Sequence, residues 1–152
     1  MNNFIQETRI DNIFPELTKP EIACLLKVIR SEWDRWDNII EFNHSDQGTR
    51  AIAADYEYDS IKLGNFVGLL EEYTDYSDNV EKMSFSQTET AFAIEALDHE
   101  FDLLQEGNSS LDTETLNIMK QVREKIKDLA MKEYSAEILK TAHYQRGKTR
   151  NE

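Results

Sequence analysis

Cysteine is nearly absent. Cys24 is the only one in the chain, so no internal disulfide can form, and its place in the apolar run "IACLL" suits a buried, inert thiol in a reducing compartment. Glycine (five) and proline (two) are also scarce, which argues against a turn-rich all-β fold. No apolar run approaches the roughly 18–20 residues needed to cross a bilayer. The opening "MNNFIQETRI" lacks a basic stretch followed by an apolar one, so no secretory leader is expected. Cys-x-x-Cys pairs, a Gly-rich phosphate loop and a nucleophile elbow are all missing. These absences point to a cytoplasmic chain with no cofactor, organised as one helical domain over 1–144 and a basic, flexible tail over 145–152.

Positive charge is missing from the middle of the chain. Residues 31–118 carry 21 acids against Arg35, Arg50, Lys62 and Lys82, a net of −17. Residues 1–30 are neutral, and residues 119–152 carry nine bases against five acids. Eight acids lie between Lys82 and Lys120 with no Lys or Arg among them. A small domain needs a net charge of only about 2–8 for solubility, and charge in excess of that repels itself. Two stretches concentrate the pattern around tyrosines: "DYEYDS" at 55–60 and "LLEEYTDYSDNVE" at 69–81.

What is present in abundance is helical periodicity. Two segments open alike, with an apolar residue, then Thr18 or Ser86, then Glu21 or Glu89 three places on; each is a capping box. Leu26, Ile29, Trp33 and Trp36 match Ile94, Leu97, Phe101 and Leu104 at an offset of 68, and Glu32 matches Glu100. Two copies suggest a shared helical-hairpin plan without establishing a duplication. The second partner helix spans 112–134, with Leu116, Met119, Val122, Ile126 and Leu129 on one stripe. In the first half, Ser60 to Tyr73 places Leu63, Phe66, Val67 and Leu70 on one face. The link from Trp36 shows no clean period, and a long irregular connection is expected around residues 42–58. The fold class is therefore all-α, a four-helix-bundle-like packing of two hairpins. Trp33 and Trp36 are expected in the core, Tyr73 in the core or at its boundary, and Tyr56, Tyr58 and Tyr76 on the surface.

The chemistry-bearing residues form no specific catalytic set. Glu41-x-x-His44 is one pair where a di-iron bundle needs two pairs and further glutamates. His99 follows Glu95 by four residues, the spacing of a helical ion pair. Glu72-x-x-Asp75 and Glu95-x-x-Asp98 imitate the paired acids with which all-α nucleotide pyrophosphohydrolases bind magnesium, but thirty acids generate such spacings freely. No metal site is expected.

The function expected from the charge map is that of a non-catalytic inhibitor, binding a basic, nucleic-acid-handling partner by protein–protein contact. Carboxylates on rigid helices can stand in for phosphates, and tyrosines supply rigid contact area. Asp55, Tyr56, Glu57, Tyr58, Asp59, Glu71, Glu72, Asp75, Tyr76, Asp78, Asp98 and Asp102 are the candidate contact residues. As a class, this small acidic format resembles phage anti-CRISPR and anti-restriction proteins that mimic DNA, and bacterial immunity proteins or antitoxins. Direct nucleic-acid binding is disfavoured by repulsion, and a monomer or weak dimer is expected. Alternatives from other classes are a magnesium-dependent nucleotide pyrophosphohydrolase and a self-associating structural helical protein.

Overall fold

The computed structural model describes residues 12–44, 50–107 and 112–133, apart from the side chains at 44 and 50–52. Both capping boxes form. Glu21 N donates to Thr18 Oγ1 at 3.3 Å while Thr18 N donates to Glu21 Oε1 at 2.8 Å, starting helix α1 (Lys19–His44). Glu89 N donates to Ser86 Oγ at 3.1 Å and Ser86 N to Glu89 Oε1 at 2.9 Å, starting α3 (Gln87–Gln105). Between them lie α2 (Arg50–Glu71), a π-helical turn (Glu72–Tyr76) and a 3-10 turn (Val80–Lys82). Helix α4 (Thr113–Glu133) starts at Asp112, whose Oδ1 accepts from Thr115 N at 2.8 Å.

The described residues thus form an all-α bundle with no strand. One antiparallel bridge ties Ile13 to Phe85, just before α3. Its two backbone bonds, at 2.9 and 2.8 Å, anchor the segment preceding α1 to the segment preceding α3.

Helix α1 is the hub. It packs most extensively against α2 and also touches α3 and α4, while α2 and α3 barely meet. This follows from its unusually wide apolar face: Ile22, Leu25, Leu26, Val28, Ile29 and Trp36 are all buried. Helix α4 contributes Met119, Val122, Ile126 and Ala130 at spacings of three and four, with Leu116 and Leu129 half-buried beside them. Trp36 is wedged edge-on between Tyr56 (5.9 Å) and Phe92 (5.4 Å), joining α1 to α2 and α3. Each such aromatic pair contributes about 0.5–1.5 kcal/mol beyond its buried area.

The expected irregular connection over 42–58 is corrected. Residues 42–44 belong to α1 and 50–58 to α2; only 45–49 fall outside the described residues. The core positions of α2 run Ala53, Tyr56, Asp59, Leu63, Phe66 and Leu70, at helical spacing throughout. The first three are a small residue, a phenol and a carboxylate, so the stripe is invisible to hydropathy. Tyr56 is therefore a core residue, only 9 % exposed, and not the surface residue expected. Trp33 is half-buried, its Nε1 donating to Ser60 Oγ at 2.9 Å, and Tyr73 packs at the core boundary. Tyr58 and Tyr76 stand exposed, as anticipated. The tail over 145–152 lies outside the described residues.

Candidate functional site

Folding brings cations to the carboxylates that lack them in sequence. Helix α3 has no Lys or Arg, yet Asp98 is clamped by Arg123 (2.8 Å) and Lys127 (3.1 Å) from α4. Glu100, buried, lies 3.7 Å from Arg35 of α1. On the other side of α1, Arg30 pairs with Glu71, and Lys19 with Asp78 at 2.8 Å. Lys125 of α4 reaches buried Glu21 at 2.7 Å. Helices α1 and α4 thus act as internal counter-ions for the acidic middle.

The twelve sequence-chosen contact residues do not form one patch. Tyr56 and Asp59 are buried, Asp55 is half-buried, and Glu71, Asp78 and Asp98 are ion-paired. Glu57, Tyr58, Glu72, Asp75, Tyr76 and Asp102 remain exposed. Glu57 and Asp75 are separated by about 27 Å along the chain axis if the helix rises ~1.5 Å per residue.

The structure adds residues that sequence reasoning missed. Asp34, Asp37 and Glu41 recur at i, i+3 and i+7 on the exposed face of α1, and none has an ion-pair partner among the described residues. Their stripe is hidden in the sequence because the clean apolar period ends at Trp36, which leaves the following turns without a register. The register of the α1–α2 hairpin shows what lies opposite. Trp33 meets Ser60 and Gly64, Trp36 meets Tyr56, and Arg30 reaches Glu71, so the two helices run antiparallel. Asp37 is then level with Glu57, and Asp34 with Ile61, on the solvent side of this seam. Ile61 is 69 % exposed. Lys62, on the flank of α2, lies 4.2 Å over the Tyr58 ring.

A second feature is a cleft of about 300 Å³ lined by Glu32, Arg35, Trp36, Asn38, Ile39, Tyr56, Glu95 and His99. Buried Glu32 is its hub. Oε1 accepts from Arg35 Nε (3.0 Å) and Nη2 (2.5 Å) and faces His99 Nδ1 at 2.9 Å; Oε2 accepts from Trp36 Nε1 at 3.1 Å. His99 therefore meets a glutamate of α1, 67 positions away, where its spacing from Glu95 suggested a local pair. A carboxylate orienting an imidazole supplies two members of a nucleophilic triad, but among the described residues no Ser, Thr or Cys lines this cleft. Charge-assisted bonds between α1 and α3 make the cluster an interlock of the bundle.

The acidic pairs expected of a magnesium site do not converge. Glu95 faces the α1–α3 cleft, Asp98 is held by α4, and Glu72 and Asp75 lie on the π turn beyond α2. Among the described residues, no three His, Cys, Asp or Glu side chains gather closely enough to hold a metal ion. The helix of Glu41-x-x-His44 reaches His44, whose side chain lies outside the described set. Cys24 is buried, its Sγ directed at Thr115 O (3.7 Å), and burial pushes the thiol up to about 11. Among the described residues no helix is long and apolar enough to cross a membrane. No protein-family model, curated protein or solved structure matches the chain.

Proposed function

We propose that this chain is a non-catalytic acidic binding protein that inhibits a basic, nucleic-acid-handling partner by direct contact. The observation that carries the reading is the charge left over after folding. Asp34, Asp37, Glu41, Glu72, Asp75 and Asp102 are exposed and without ion pairs among the described residues. Six cations of the described residues, Lys19, Arg30, Arg35, Arg123, Lys125 and Lys127, are engaged at other carboxylates. Exposed carboxylates on helices steer a cationic partner and exclude anionic ones, nucleic acid included. The role is that of an anti-defence or immunity-type inhibitor.

The test is affinity capture from extract of the source cell, identification of the captured protein, and a salt titration of the reconstituted complex. Affinity for a basic partner should fall about tenfold or more between 0.05 and roughly 0.3 M salt, as exposed charges become screened. A salt-insensitive complex overturns the reading. So does turnover of a nucleotide by the purified chain with Mg²⁺.

A further inference from the structure

Resting on the acidic-binding reading, we infer that the contact surface is the outer face of the α1–α2 hairpin. Ile61 stands at its centre, with Asp34, Asp37 and Glu57 around it, and its partner is a lysine- and arginine-rich protein surface bearing an apolar spot. Three observations select this face. Ile61 is 69 % exposed on a helix whose Leu63, Phe66, Val67 and Leu70 are all buried. An aliphatic side chain held outward, with carboxylates on either side of the seam, is the arrangement of an apolar anchor within a polar rim.

The second observation is where the cations are. Beside this face, Arg30 is drawn toward Glu71 and Lys62 is turned over the Tyr58 ring, so neither shields the Asp34–Asp37–Glu41 stripe. At the far end of α2 the opposite holds: Glu71 and Asp78, on either side of Glu72 and Asp75, are neutralised by Arg30 and Lys19. The tyrosine-rich stretch at 69–81, the most acidic in sequence, is thus the more compensated end in the fold.

The third is charge density. Three carboxylates at i, i+3 and i+7 span about 10 Å of helix, one charge per ~5 Å. Duplex DNA presents one per about 1.7 Å. The stripe is too sparse to copy a duplex, which favours a protein surface that reads a few charges and one apolar contact.

The experiment measures fluorescence anisotropy with two labelled probes at 50 mM NaCl: a ten-residue polyarginine, and a 14-residue amphipathic peptide of lysine and leucine. D34K/D37K should weaken both probes about tenfold, and E72K/D75K less than about twofold. I61S should weaken only the amphipathic probe, about threefold or more. D34N/D37N, which removes charge without adding any, should fall between wild type and D34K/D37K, with circular dichroism verifying the helices of every variant. If E72K/D75K loses as much as D34K/D37K, or I61S leaves both probes unaffected, this placement is overturned while the acidic-binding reading stands. If neither probe binds the wild-type chain in a salt-sensitive manner, the acidic-binding reading itself is overturned.

Discussion

Glu21 and Glu89 occupy the same position in two matching capping boxes, yet their environments drive them apart. Burial pushes the Glu21 carboxyl up, but the bond from Lys125, the Thr18 bonds and the Lys125 charge outweigh it, so its pKa lies below the ordinary glutamate value. At Glu89 burial prevails over the Ser86 bonds and the pKa is raised. The signs of the two linkages are therefore opposite. Glu21 adds stability above its unfolded pKa, and that stability is lost as pH falls through its depressed folded value. Glu89 penalises the fold above its raised value and ceases to do so as pH falls through it. In thermal melts from pH 3 to 7, E21Q should lower Tm most at neutral pH, with the gap from wild type closing in acid. E89Q should show the opposite trend, its change relative to wild type becoming less favourable as pH falls. Parallel curves for the two variants would mean that Lys125 does not distinguish the boxes.

The α1–α2 seam shows how two glycines in one helix come to mean different things. A Cβ on Gly64 would lie 2.9 Å from Trp33 Cζ2, and that indole is pinned by its bond to Ser60. A Cβ on Gly68 would meet nothing within 4 Å. Replacing glycine by alanine inside a helix contributes up to about 1 kcal/mol. G68A should therefore stabilise by about 0.5–1 kcal/mol. G64A should destabilise by about 1 kcal/mol or more, because overpacking at the indole outweighs the propensity gain. Urea denaturation with an unchanged m-value measures both. A stabilising G64A would show that Trp33 can move aside, and that Ser60 does not hold it.

At the scale of the whole molecule, two opposed electrostatic effects meet. The net charge of −13 repels itself, while the tertiary ion pairs at Glu21, Glu71, Asp78 and Asp98 attract. Long-range repulsion is screened more readily than close pairs, so salt should help the fold. Raising NaCl from about 0.02 to 0.5 M should increase Tm by roughly 2–5 °C, equivalent to about 1 kcal/mol. A falling Tm would show that the pairs dominate. In the sequence Asp98 stands among uncompensated charges; its cations, Arg123 and Lys127, lie 25 and 29 positions away and are adjacent only through the α3–α4 pairing.

Helix class, the two capped starts, the buried thiol and the α3–α4 hairpin were determined by sequence alone. Each depends on contacts within a few residues: a hydroxyl three positions from a carboxylate, or apolar groups at 3.6-residue spacing. Tertiary structure alone decided that Tyr56 and Asp59 face inward, that His99 meets Glu32, and which carboxylates keep their charge uncancelled. The reason is physical: a side chain's direction follows from its helix, but its partner follows from which helix packs alongside. A carboxylate's effective charge is thus a property of the bundle, and so is the location of the acidic surface.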